Sequence, residues 1–348
     1  MKHLAGEYEK QNSTVVLFPY RTDIWRKQCR PICKIITELA NIIAKYQPVL
    51  FGVLPELIET VHNEYVLDKN VTVFPCHYND CWSRDTISSV VLGEKPHIAS
   101  FGFNSYGDGL YKPWDYDNSL DEEISKYFSY PLKKYDLVFE GGNIMSDGNG
   151  TIFLVKDALV NENRNPRVSV EEAERILREA TGARQIVWIS RGLVNDETGG
   201  HIDNILAFVD KNTIIISWTD DPKNPQYEIV HEVEDTIKGI RNVDGEFYKI
   251  VHLPIAPVYY RNAEDSSEIV YDKDSLSRSE GMAILETYIN FALVNGAVIV
   301  PQFGYDELDS EAIKILKEVF SDRDVIPFYS REASLGGGGL HCLTKHIN

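Results

Sequence analysis

Apolar positions Ile32, Ile35, Ile36, Leu39, Ile42 and Ile43 recur every three or four residues, the spacing of one helical face, and predict a buried-face helix over 31–45. Beyond it the period changes. VLFGV at 49–53 and VTVFP at 71–75 read as strands, with PELIETVHNEY at 55–65 as a helix between them. SVEEAERILREATG at 169–182 predicts a further helix, opened by Ser169 and Glu172 as a capping box and closed by Gly182. QIVWIS (185–190), HIDNILAFV (201–209), TIIISW (213–218) and YKIVHLP (248–254) are strand-like, and SEAIKILKEVF (310–320) is helical. The order is mixed α/β throughout. No low-complexity linker or shift in composition divides the chain, so residues 1–348 are expected to form one domain. GDG at 107–109 and DGNG at 147–150 read as turns, and neither a Rossmann fingerprint nor a Walker loop is present.

Charge narrows the range of partners. Lys and Arg number 35 against 53 Asp and Glu, a formal charge of −18. Such a surface repels nucleic acid and anionic lipid and attracts cations, so neither nucleic acid nor membrane is expected as a partner. No apolar run approaches the roughly 18 residues of a membrane span. The opening MKHLAGEYEKQNSTVVLFPY lacks the apolar core of a signal segment, and a cytoplasmic protein is expected. The five cysteines (Cys29, Cys33, Cys76, Cys81 and Cys342) are odd in number and form no C-x-x-C pair, which argues against a disulfide framework and against structural zinc. Cys29 and Cys33 are expected to be reduced core thiols, and no metal is expected.

Only Cys342 has an unusual setting. The chain closes on LGGGGLHCLTKHIN, and four consecutive glycines weaken any helix or strand. Such a run lets backbone approach something closely. Three more stretches set acids or histidine beside strand ends and glycine: CWSRDT at 81–86, FEGGN at 139–143 and ETGGHIDN at 197–204. Asp85, Glu140, His201 and Cys342 lie 55, 61 and 141 positions apart, a rhythm that fits about five modules of roughly 70 residues, one adding no motif. If HIDN is extended, His201 and Asp203 face the same side while Ile202 packs away. The same period places His341 opposite Cys342, so the thiol needs a histidine from elsewhere, and His201 is best placed. One carboxylate could steer that histidine, leaving two without a partner. Neighbouring anions are costly unless a cation joins them, and a planar guanidinium meets two carboxylates in fork geometry. The substrate should be a guanidine.

These residues resemble the agmatine deiminase family, within the guanidine-modifying group that also holds bacterial-type peptidylarginine deiminases and arginine deiminases. The likeness begins at FPYRTDIWR, continues through CWSRDT, FGFNSYGDGLYKPWDYD, FEGGNIMSDGNGT, LVNENRNPRVSVEE and ETGGHIDNILAF, and ends in LGGGGLHCLTKHI. It implies a five-bladed, pseudo-symmetric α/β propeller of ββαβ modules around a negatively charged centre. It also implies hydrolysis of agmatine to N-carbamoylputrescine and ammonia without cofactor or metal, in a protein that is often a homo-oligomer. Position by position, it implies Cys342 as nucleophile, carrying a covalent thiouronium, His201 as general acid and base, and Glu140 as the carboxylate orienting that histidine. Asp85 and Asp203 would grip the guanidinium, Trp82 would line the substrate channel, and Glu197 would be a further anion for binding. The chain departs from the family pattern at Thr86-Ile87-Ser88, where Thr-Gly-Pro is common, at Phe18-Pro19, at Gly199, and at Lys345-His346, where Gln-Gln is common. These departures leave open a deiminase of free or peptidyl arginine, and a silent guanidine-binding protein of the same fold.

Overall fold

The apolar stripe predicted near the N-terminus is the face that packs. The Arg30–Ile43 helix buries Ile32, Cys33, Ile36, Leu39, Ala40 and Ile43 in one core cluster with Val15–Leu17 and Val49–Phe51. Cys29 and Cys33 are reduced and buried, as expected. The computed structural model describes residues 2–348, less the side chain of residue 108.

The chain forms several small sheets of mixed α/β character, and none closes on itself. Five of them share one plan, in which an antiparallel pair is followed, across a helix, by a parallel strand. His97–Gly102 pairs antiparallel with Val90–Leu92 and parallel with Leu132–Val138, across the Asp115–Phe128 helix. Thr151–Val155 stands likewise between Met145–Ser146 and Gln185–Ile189, across Val170–Thr181. Thr213–Trp218 stands between Leu206–Asp210 and Lys249–Pro254, across Tyr227–Lys238. Ala297–Gln302 stands between Ala292–Val294 and Asp324–Tyr329, across Asp306–Val319. The remaining sheet is completed by the far end of the chain. Lys345–Ile347 lies antiparallel to Ser13–Leu17, which runs parallel to Val49–Val53, itself parallel to Val71–Pro75. That closure places the last residues beside Ser13–Leu17, and Cys342 just before the Lys345–Ile347 strand.

Most predicted elements stand where the pattern put them, and three differ. The 55–65 helix begins as a 3-10 turn at Pro55–Leu57 before the α-helix Ile58–Glu64. At 169–182, Ser169 caps the helix by accepting from Glu172 N at 3.2 Å, and Gly182 closes it at φ +79°. The reciprocal half of the capping box gives way to an ion pair, since the Glu172 carboxylate turns to Arg175 at 2.8 Å. The third difference bears on chemistry. The expected strand over 201–209 starts only at Leu206, and Ile202–Asn204 is a 3-10 turn. Asp196 causes it by accepting from His201 N and Asn204 Nδ2, each at 2.9 Å, which curls the segment around one carboxylate.

Truncating one residue of the packed helical face tests this core. Ile36 is fully buried, so Ile36→Ala is expected to cost about 2–5 kcal/mol of stability, read as a lower midpoint in urea unfolding.

Candidate active site

Asp85, His201 and Asp203 meet around one glycine, Gly142, and Glu140 precedes it by two residues. Asp85 lies on the short Ser83–Thr86 helix, Glu140 opens the Gly141–Asn143 turn, and His201 and Asp203 flank Ile202. A methyl group on Gly142 would stand 2.6 Å from His201 Nδ1, 2.7 Å from Asp85 Oδ1 and 3.0 Å from Asp203 Oδ2. Only glycine fits there. Its N–H donates to Asp85 Oδ1 at 2.8 Å, and Tyr106 Oη donates to Asp85 Oδ2 at 2.9 Å. His201 and Asp203 thus share a face as expected, although a 3-10 turn rather than an extended segment puts them there.

The imidazole of His201 is wholly buried between carboxylates. Nδ1 lies 3.6 Å from Asp85 Oδ1 and Nε2 lies 3.7 Å from Glu140 Oε2, ion-pair separations longer than a hydrogen bond. Burial alone would lower its pKa, but Asp85, Glu140 and Asp203 outweigh burial and push it up to about 9. Burial would raise Glu140, yet Arg164, whose Nε donates to Oε1 at 2.7 Å, and His201 hold it below the usual range. Asp85 is raised by burial, against the pull of His201 and with the repulsion of Asp203 and Glu140.

Cys342 stands at the end of the glycine run, 4% exposed. Its Sγ is 3.6 Å from Asp203 Oδ2, and Asn290 Nδ2 donates to it at 3.4 Å. Burial, then the charges of Asp203 and Asp85, push the thiol well above its ordinary value, while the Gly339 N–H and Asn290 pull the other way. Every glycine of the run meets a neighbour that a side chain would strike. Gly336 packs on the Trp25 ring, Gly337 (φ +103°) on the Glu197 carboxylate, Gly338 on Trp82, and Gly339 on Asn290. A methyl on Gly338 would lie 2.6 Å from the Trp82 ring and 3.2 Å from Cys342 Cβ, so Trp82 and Cys342 flank the same glycine.

Glu197 is placed differently from the others. Its carboxylate is held by Arg278 through two contacts of 2.8 Å, against Gly337 rather than beside Cys342. Lys345, read from sequence as a positive charge near the site, is fully buried and donates to Ser89 Oγ at 2.9 Å.

His341 overturns an expectation. Residues 340–343 form a turn, not a strand, so His341 is not carried away from the centre. Its Nδ1 meets Asp203 Oδ2 at 2.8 Å and its Nε2 meets Glu7 Oε2 at 2.9 Å. Burial and Arg84 oppose its charge, but Glu7 and Asp203 raise its pKa. Asp203 therefore has an imidazole partner on one oxygen, whose charged form Glu7 and Asp203 favour. Asn290 was likewise missed, and it stands just before Ala292–Val294, in the module that carries no motif. Tyr106 and Arg164 lie inside stretches already singled out, where nothing in their spacing showed that they would reach the centre.

Several buried polar atoms here lack any hydrogen-bond partner: Glu140 Oε2, Asp203 Oδ1, and both nitrogens of His201. Leaving such an atom unsatisfied costs about 1–3 kcal/mol, more if charged. Two of the four are carboxylate oxygens that lack a donor, and two are imidazole nitrogens.

The sequence model of the Porphyromonas-type peptidyl-arginine deiminase family matches residues 3–347. The chain belongs to that family. Agmatine deiminase of Pseudomonas putida is 34% identical over 99% of this chain and 94% of its own length. Among solved structures, agmatine deiminase of Enterococcus faecalis superposes with a TM-score of 0.94 at 28% identity, covering 99% of this chain and 95% of that one. A cysteine-to-serine variant of C. jejuni agmatine deiminase with substrate bound superposes with a TM-score of 0.85 at 25% identity, covering 100% of this chain and 96% of that one. Members similar in sequence and in structure thus span nearly the whole chain, including every element that carries a site residue.

The raised thiol pKa can be checked without a substrate. Alkylation of Cys342 by iodoacetamide, followed by peptide mass spectrometry, should be slow near neutrality. Its rate should reach half-maximum at a pH above the ordinary thiol value of about 8.5.

Proposed function

We propose that this protein is an agmatine deiminase, which hydrolyses the guanidinium of agmatine to N-carbamoylputrescine and ammonia. The observation that carries the proposal is the pair of buried carboxylate oxygens without a donor, Glu140 Oε2 and Asp203 Oδ1, close to the Cys342 sulfur and the imidazole of His201. A guanidinium is planar, cationic and rich in N–H, so it satisfies neighbouring carboxylates in fork geometry. The relatives similar over the full chain are agmatine deiminases, which supports that guanidine over others.

In this reading Asp85 and Asp203 hold the guanidinium nitrogens with the carbon above Cys342 Sγ. The bound cation offsets the carboxylate fields that keep the thiol protonated, so with substrate present the thiol gives its proton to solvent and the thiolate forms; the adduct's O–H proton returns to the sulfur when the product leaves. Attack gives a tetrahedral adduct. His201, protonated below about 9, gives its proton to the departing nitrogen, ammonia leaves, and a thiouronium remains on Cys342. Neutral His201 then takes a proton from water, the hydroxide adds to the same carbon, and collapse expels the thiolate and the ureido product. Glu140, anchored by Arg164, keeps the imidazole charged and oriented. Trp82 lines the channel and packs on the methylene portion. Glu197 could serve the far ammonium only by exchanging its present partner, Arg278.

We read residues 1–348 as one catalytic unit, with the five similar sheets as blades of a pseudo-symmetric propeller. The site would lie at its centre because each blade contributes from a strand end. The recurrence of the antiparallel-then-parallel plan supports this.

Incubation with agmatine, free arginine and a C-terminal arginine peptide, assayed for ureido product and ammonia, separates the readings. Turnover of agmatine is expected, with complete loss in Cys342→Ala. Binding without turnover in the native protein would instead make it a silent guanidine binder. The kcat/KM for agmatine should fall as pH rises through about 9, because the acid form of His201 is lost there. His201→Gln should lower kcat by about 10²–10⁴-fold.

A further inference from the structure

Lys345 is a buried cation that the chemistry above does not use. It begins the Lys345–Ile347 strand and is 0% exposed. Its Nζ lies 3.2 Å from where a methyl on Gly141 would stand, while the next residue, Gly142, faces Asp85 Oδ1 in the same way at 2.7 Å. The ammonium and the Asp85 carboxylate therefore flank the same glycine pair. The groups whose charge reaches Lys345 are Arg84 and Asp85 from the Ser83–Thr86 helix, Asp121 from the Asp115–Phe128 helix, Glu7 from the N-terminal segment, and His346 on its own strand.

Two departures from the family pattern meet here. Ser89, the acceptor for Lys345, directly follows Thr86-Ile87-Ser88, and Ser88 N donates to Asp121 Oδ1 at 2.7 Å. Burial first, and then Arg84, push the ammonium down to about 7 against the opposing pull of Glu7, Asp121 and Asp85. His346 is pushed down to about 3, chiefly by burial, and contributes no charge near neutrality. Glu7 is shared with Arg84 at 2.6 Å and His341 at 2.9 Å, so it is not free to neutralise Lys345.

We propose that Lys345 is a positioning residue for substrate affinity: its ammonium, when protonated, opposes a guanidinium held by Asp85, and loss of that proton strengthens binding. The inference rests on the guanidine reading of the site. Two like charges separated by protein rather than water are weakly screened, and their repulsion raises the dissociation constant. The sign follows directly. A lysine with a depressed folded pKa is protonated below about 7 and neutral above it, so affinity rises with pH through that value.

The test is calorimetric binding of agmatine to the Cys342→Ser protein, which removes turnover, with and without Lys345→Gln. With Lys345 present, binding should be about tenfold tighter at about pH 8.5 than at about pH 6. Lys345→Gln should be at least as tight at the lower pH and lose most of that change. Titration of His201 affects both proteins alike and cancels in the comparison. Lys345→Met, of similar length and no charge, should behave as Lys345→Gln, which separates lost charge from disturbed packing. The same pH ratio in all three proteins would overturn the inference while leaving the guanidine reading intact. No agmatine binding by Cys342→Ser at any pH would remove that reading, and this inference with it.

Discussion

The structure depends on one electrostatic arrangement, a buried imidazole enclosed by Asp85, Glu140 and Asp203 with polar atoms left unpaired on three of the four side chains. Buried carboxylates without partners are expensive, and each is made tolerable by something outside the site. Arg164 stands behind Glu140, His341 behind Asp203, and Tyr106 with the Gly142 N–H behind Asp85. Among the described residues, Glu140 Oε2 and Asp203 Oδ1 remain without a donor, which is what the proposed guanidinium would supply. Burial and the charges of Asp203 and Asp85 raise the Cys342 thiol, and in the proposed reaction a bound cation would offset that field.

Glycine is the other half of the constraint. Gly142 admits three functional groups to one point, and the run Gly336–Gly339 passes between Trp25, Glu197, Trp82 and Asn290 before delivering Cys342. The Arg84 backbone N–H donates to the Cys342 carbonyl at 3.1 Å, which ties the Cys342 turn to the helix bearing Asp85. Because the C-terminal strand completes the N-terminal sheet, the sulfur's position is set by sheet pairing as well as by its own loop.

Much of this was legible in the chain. Helical periodicity located the Arg30–Ile43 face, and acids and histidine beside glycine at strand ends picked out Asp85, Glu140, His201 and Asp203. What escaped did so for physical reasons. Strand periodicity misplaces LHC and HIDN, because Asp196 and the glycine run impose turns there, and it turns His341 away from Asp203, which it contacts. Asn290 sits between apolar neighbours with no glycine beside it, so nothing local distinguished it from a core strand end. Glu197 carried the right charge, but its partner Arg278 is 81 residues away and invisible to any local pattern. The burial of Lys345 likewise depends on strand pairing at the opposite end of the chain.

The most direct measurement is mass spectrometry of the native protein acid-quenched during turnover of agmatine. The account predicts that the peptide containing Cys342 gains the mass of agmatine less ammonia, the amidine carried on sulfur. Product accumulating while Cys342 stays unmodified, or the added mass appearing on Cys81 instead, would contradict it.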